Sequence, residues 1–282
     1  MNARASTPPL RIRDATLSGR VSAGLSDLVQ YRHLVWYMAM TSLAVDSRGT
    51  KLGRSWWIIE PIALMGVYTL FVRVLIHRGG PDFPLVVLAA ILAFEFFARS
   101  VARSMSMVKT VQTSMLNVSF PRSVIPLGVT LSETIRFFIS IGVYLLIAAP
   151  FGFLPTTGVF LALPFIFFEI LFTLGAAYFF AATGVFFRDL SLITAYLFWL
   201  AFHLAPGMYT LHMVPPSWRK VFYMNPLTTY FEGLRAALMH GRWPAHIPYT
   251  LAGCVFGCSV LLCVAGYVYF LHREGSFNKV VL

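Results

Sequence analysis

Between clusters of proline, glycine and charge, the chain carries six runs of predominantly apolar residues, at about 58–76, 84–107, 125–151, 159–187, 190–209 and 248–271. About 20 such residues in a helix cross the roughly 30 Å hydrocarbon core of a bilayer. The pattern therefore predicts an all-α integral membrane protein with six transmembrane helices. Two amphipathic regions add to this plan. In "SDLVQYRHLVWYMAMTSLAV", Ser26 to Val45, apolar Leu28, Tyr31, Val35 and Met38 recur at helical spacing against a side bearing Gln30, His33 and Thr41. That spacing, with Arg32, His33 and Trp36 in the stretch, predicts a helix lying in the membrane interface; the alternative is an amphipathic helix packed on other protein. The segment from Thr210 to Ile247 is too apolar for a free loop, with Trp218, Phe222, Tyr230, Phe231 and Leu238 among its residues. Asn225–Pro226 divides it, because proline excludes the helical conformation from its predecessor and starts a new helix well. Two short helices re-entering the outer leaflet between spans five and six are expected, and Pro206–Gly207 breaks span five near its outer end.

Composition agrees with a bilayer: of 282 residues, 58% are hydrophobic and only 12% charged. Residues 1–25 mix Ser, Pro, Gly and Arg without an apolar core, which predicts a disordered N-terminus retained in the cytoplasm. Residues 26–56 then form the interfacial helix and its hinge, and 57–282 the six-span domain. An even number of spans returns the C-terminus to the cytoplasm. On that topology thirteen lysines and arginines lie in cytoplasmic segments and five in outer ones, as the positive-inside rule requires. The net charge of +11 thus fits a basic cytoplasmic face and anionic headgroups, not nucleic acid. Cys254, Cys258 and Cys263 share one span at helical spacing and read as small packing residues. The scattered histidines have no metal-ligand spacing, so no metal site is expected.

Charges inside spans are costly and point to function. Glu95, Arg99 and Arg103 stack on one face of span two. They form either a self-neutralising strip with snorkelling arginines or a cationic wall for an anionic lipid-linked substrate. Glu133 and Arg136 on span three offer the same choice, and pairing between the two spans satisfies both readings. Glu60 and Glu169 need partners that the pattern does not identify. His203, well inside a span, raises the alternative of a membrane-embedded acyl- or glycosyl-transferase, with Glu133 as a second candidate group. "GTKLGRS" lacks the spacing of a phosphate-binding loop, so ATP hydrolysis by that route needs a separate subunit. Gly253 and Gly257, and Gly175, Ala176, Ala177 and Gly184, are small residues for helix contacts, within the chain or across a dimer. In "SRGTKLGRSWWIIEP", Arg48, Lys51 and Arg54 sit at cytoplasmic headgroups, Trp56 and Trp57 in the aromatic belt, and Pro61 in the first turn of span one.

Taken in order, "RGTKLGRSWWIIEP", "NVSFPRSVIPL", "GVFFRDLS", "MVPPSWRKVFYMNPLTTYFEGLRAAL" and "HREGSFNKVV" resemble the type 2 ABC permeases that export bacterial polysaccharides of the O-antigen, capsule and teichoic acid kinds. The resemblance spans nearly the whole chain from about residue 26. It implies a homodimeric permease in the bacterial inner membrane, joined to two ATPase subunits that bind ATP and Mg, with no cofactor in this chain. It implies export of a lipid-linked polysaccharide, a gate function for the Ser26–Val45 helix, and ATPase coupling through "LNVSFPRS", with Asn117, Phe120, Pro121 and Arg122 its residues. Arg48, Lys51, Arg54, Arg99 and Arg103 are then candidates for substrate or lipid headgroups. Trp36, Trp56, Trp57, Trp199, Tyr209 and Phe231 are candidates to line a channel. The chain departs from the family at Arg54, where an aromatic residue or proline is common, and at Asp46 and Ser47, where the approach is commonly more basic.

Overall fold

The computed structural model describes residues 24, 26–45, 51–75, 77, 80–114, 120–187 and 189–277. Arg48, Asn117 and nearly all of the N-terminal region expected to be disordered lie outside the described residues. Among the described residues the fold is all-helical, without a β-strand.

Helix α1, Arg32–Val45, is preceded by helical residues 26–30. The Tyr31 N–H donates to the Asp27 carbonyl and the Val35 N–H to that of Tyr31, so the helical path runs through from Asp27. Its predicted apolar side is the packed one: Val35, Ala39 and Leu43 are buried on α4, while Trp36 and Tyr37 face outward. Gly128 of α4 lies under this contact, with the Met38 Cβ 3.2 Å from where its own Cβ would stand. The chain then turns through Gly53, whose φ of +50° favours glycine, and a short 3₁₀ stretch, Gly53–Ser55.

Helix α2 is Trp56–Leu70, and a π-type turn, Phe71–Leu75, extends it. Pro61 does not occupy its first turn as expected, because the helix begins at Trp56; it lies one turn further in and is buried. There it leaves the Trp57 carbonyl without its usual i+4 donor. Helix α3, Phe83–Ser114, is the axis of the bundle. In its most hydrophobic window 67% of residues are buried, against 17% for α2, which is therefore peripheral. Around α3 stand α4 (Val124–Ala148), α5 (Ala162–Phe186), entered by a 3₁₀ turn Thr157–Leu161, and α6 (Leu190–Leu204). The outer segment forms α7 (Arg219–Tyr223) and α8 (Pro226–His240), and α9 (Tyr249–Glu274) closes the chain against α5.

Among the described residues five helical segments are long and apolar enough to cross a membrane: Gly53–Val74, Phe83–Val111, Val124–Phe151, Thr157–Phe186 and Tyr249–Glu274. The fifth predicted span is shorter than its apolar run. At about 1.5 Å per residue, α6 covers roughly 22 Å. It ends because Ala205 turns extended ahead of Pro206. The division at Asn225–Pro226 is present as expected. The Asn225 side chain caps α8 by accepting the Leu227 N–H at 3.1 Å, and Pro226 takes the first helical position. Yet α8 is no surface helix: Leu227, Tyr230, Phe231, Leu234 and Leu238 are buried against α3 and α5 in the main core.

Candidate functional site

The intramembrane charges of α2, α3 and α4 meet. One guanidinium nitrogen of Arg99 lies 2.6 Å from Glu60 Oε2 and 2.9 Å from Glu95 Oε2. One turn along α3, Arg103 donates to Glu133 Oε1 at 2.8 Å and to Ser42 Oγ of α1 at 3.2 Å. The other carboxylate oxygen of Glu133 faces Arg136 at 3.4 Å, and the Arg136 guanidinium stacks on Trp57 at 4.7 Å from the ring centre. Three carboxylates and three guanidiniums thus form one cluster of zero formal charge that ties α1, α2, α3 and α4 together. Periodicity brings Glu95, Arg99 and Arg103 to one face of α3; only the packing supplies Glu60, the partner missing from the pattern, and Glu133. The environment is graded. The Glu133 side chain is 1% exposed and that of Glu60 50%, so the pairs at Glu133 are interior and the Glu60–Arg99 pair is at the periphery. Beside Trp57, a narrow apolar cleft runs between α2, α3 and α4, lined by Pro61, Leu88, Leu92, Val143 and Tyr144.

A second cluster gathers one end of the bundle. Phe120 packs against a core built from the C-terminal part of α3 (Val108), the start of α4 (Ile125), the end of α5 (Tyr178, Ala181) and the end of α9 (Tyr267, Phe270, with Phe277 beyond it). The Arg122 N–H donates to Glu274 Oε1 at 2.5 Å, its guanidinium lies 5.8 Å from the Phe277 ring centre, and Tyr178 donates to the Ser123 carbonyl at 3.1 Å. The base of the N-terminal helix joins the same place: a Cβ on Gly24 would meet the Tyr267 hydroxyl.

At the opposite end, Arg235 of α8 is 4% exposed, and each of its three guanidinium nitrogens is hydrogen-bonded. It donates to the carbonyls of Val86 (2.7 Å), Gly207 (2.9 Å) and Tyr209 (3.3 Å), and pairs with Glu232 at 2.8 Å. Burial pulls its pKa down from the ordinary arginine value, and the neighbouring Glu232 opposes that shift. Sequence reasoning counts this residue only among the charges of the outer segment; the signal present is the i,i+3 pair with Glu232 inside an apolar stretch. Glu169 of α5 is 1% exposed and its Oε1 has no hydrogen-bond partner among the described residues.

The remaining candidates are placed as follows. Lys51 and Arg54 are exposed ahead of α2, and Pro121 is partly buried. Trp36, Trp56 and Trp199 are exposed, by 56%, 46% and 61%, and Tyr209, partly buried, donates to the His203 carbonyl. Trp57 and Phe231 are buried in this chain, at 8% and 0%, so neither presents a ring face to a lumen from the single subunit. The His203 Nδ1 stands 2.7 Å from the Trp199 carbonyl, an acceptor only, so this nitrogen carries the proton. Among the described residues no carboxylate bonds His203, which leaves it without the partner a general base needs. The small residues of α5 are used inside the chain: a Cβ on Gly175 would stand 2.5 Å from the backbone of Leu262, and Gly266 packs back on Gly175. Among the described residues, leaving aside α9's own adjoining backbone, nothing lies within 4 Å of the Cβ positions of Gly253 and Gly257.

These features define a multi-pass helical membrane protein whose interior charges join helix to helix. Residues 33–239 match the family described as ABC-2 type transporter, and the chain belongs to that family. It is 28% identical over 257 residues to the O-antigen export system permease protein RfbA of Myxococcus xanthus, covering 90% of this chain and 98% of that one. Two proteins of the same name from Klebsiella pneumoniae are each 25% identical over 241 residues, covering 85% of this chain and 91% of theirs.

Proposed function

We propose that this chain is the membrane permease subunit of an ATP-driven exporter that moves a lipid-linked polysaccharide, of O-antigen or capsule type, to the outer side of the bacterial inner membrane. The observation that carries this reading is the end-to-end similarity to permeases named for O-antigen export. The fold supports a transport role over a transferase: Glu133 is held by Arg103 in a contact between helices, and His203 is bonded to its own helix.

In this reading two copies form the channel and two ATPase subunits, binding ATP and Mg, seat on the segment that includes Phe120, Pro121 and Arg122. Both termini face the cytoplasm. Helix α6 with the chain through residue 209 serves as the remaining span. Helices α7 and α8 re-enter the outer leaflet, where non-helical backbone is tolerated because it is covered by protein. The exposed apolar faces of α2 and α6, with Val67 and Leu70 on one and Tyr196 and Trp199 on the other, supply surface for the second subunit and for lipid. Because Arg99 and Arg103 are paired with carboxylates, their share in holding a substrate phosphate requires those pairs to open.

The test is disruption of the gene in its own bacterium. Surface polysaccharide should be lost while the lipid-linked glycan accumulates inside, and an ATPase subunit should co-purify with the tagged chain. Normal surface polysaccharide in the disrupted strain, or transferase activity of the purified chain alone on a lipid donor, overturns the proposal.

A further inference from the structure

The described part of the C-terminal stretch "HREGSFNKVV" holds the segment through which the ATPase is proposed to act. Three contacts converge on Phe120–Ser123. The Glu274 carboxylate accepts the Arg122 backbone N–H, the buried Phe277 ring lies under the Arg122 guanidinium, and Tyr178 donates to the Ser123 carbonyl. Phe277 is fixed in turn by Phe270, at 5.5 Å between ring centres, and by Phe186, at 5.8 Å. A backbone N–H at a helix entry needs a partner, and that of Arg122 finds one in Glu274 of α9, while the Ser123 carbonyl accepts from Tyr178 of α5.

We propose that the end of α9 is half of the coupling element: Glu274 and Phe277 are positioning residues that lock Phe120–Ser123 to α9, so that displacement of this segment moves a whole helix. Helix α9 has 26 residues, a rigid rod of about 39 Å. At its far end Tyr249 packs on Trp243, which packs on Phe165 beneath α8. A push received at Arg122 is thereby carried to the region of the outer helices. Without the lock, the short segment absorbs the movement locally. This inference rests on the coupling role given to Phe120 and Arg122 under the proposed function.

The experiment uses the full permease–ATPase complex in membranes and reads three quantities: ATPase co-purification, ATP hydrolysis, and polysaccharide exported per ATP. Glu274→Ala and Phe277→Ala should keep ATPase binding and hydrolysis within about twofold, while export per ATP falls at least tenfold. Glu274→Gln, which retains an oxygen to accept the Arg122 N–H, should stay within about twofold of the native chain. Tyr178→Phe, which removes only the donor to Ser123, should lower export per ATP about threefold. Unchanged export per ATP in Glu274→Ala and Phe277→Ala overturns the inference, as does a Glu274→Gln chain as impaired as Glu274→Ala. If the alanine variants fail to accumulate, Tyr178→Phe decides: unchanged export per ATP then overturns it. The Phe120→Ala/Arg122→Ala chain separates the two ideas. If it leaves binding and export intact, the coupling reading itself fails; if it lowers them while Glu274→Ala does not, only the present inference fails.

Discussion

Arg235 and Glu133 show how much a single buried charge can organise. Removing one member of a buried, hydrogen-bonded pair leaves its partners uncompensated, at a cost of about 3–5 kcal/mol. Arg235→Ala strands Glu232 and three carbonyls, so its melting temperature in detergent should fall on the order of 10 °C. Arg235→Lys should recover only part of this, because an ammonium cannot reproduce the planar fork that reaches Val86, Gly207 and Glu232 together. Glu133→Ala leaves Arg103 and Arg136 facing each other in the interior and should destabilise by a similar amount, with Glu133→Gln intermediate. At Glu60 the outcome differs. Its side chain is half exposed, and an exposed pair contributes about 0–1 kcal/mol, so Glu60→Gln should leave the melting temperature within roughly 2 °C. A fall as large as that of Glu133→Ala would show that Glu60 is interior in the assembled protein. Glu95, Arg99 and Arg103 are legible as a group from spacing, and pairing with span three was open to that reading; the match of Glu60 to Arg99 was not, since a contact across 39 residues leaves no periodic trace.

Elements are limited by how closely backbones approach. Helices α5 and α9 cross at Gly175 and Gly266, where the Cβ of any other residue would collide with the opposite backbone. Gly175→Val should therefore push the helices apart, costing about 1–3 kcal/mol and reducing the yield of folded chain. Gly253→Ala and Gly257→Ala, whose Cβ positions are open within the chain, serve as the contrast. If these two alone lose native assembly in cross-linking, that face of α9 is an interface with a second copy. The helix boundaries follow local chemistry and were readable: the proline at 226 opens α8 and the extended residue before Pro206 closes α6. Burial of α8 was less readable. Its mixed composition fits an interfacial helix, and only the contacts with α3 and α5 make its apolar side interior.

At the scale of the whole molecule, the arrangement is a bundle around α3 with one end gathered at Phe120, Tyr178 and Phe277 and the other at Arg235 and Trp243. The proposed orientation makes opposite predictions for these two ends. In a chain whose three cysteines are replaced by alanine, a single cysteine at Ser217 should react with an impermeant thiol reagent added outside the cell. One at Ser276 should react only after the membrane is opened. The reverse pattern overturns the N-in, C-in topology.

What the amino-acid sequence determined by itself was everything that depends on local periodicity: helical class, the number and placement of apolar runs, the packed side of α1, the split at Asn225–Pro226, and the charges that had to find partners. These are properties of 3.6-residue spacing, proline stereochemistry and the cost of charge in hydrocarbon. Tertiary structure alone decided which residue answers which. It gave Glu60 to Arg99, Glu133 to Arg103, Glu274 to the backbone of Arg122, and Arg235 to carbonyls 26 to 149 residues away. The physical reason is that a helix fixes which side chains share a face, whereas the neighbour of that face is chosen by the packing of the whole bundle.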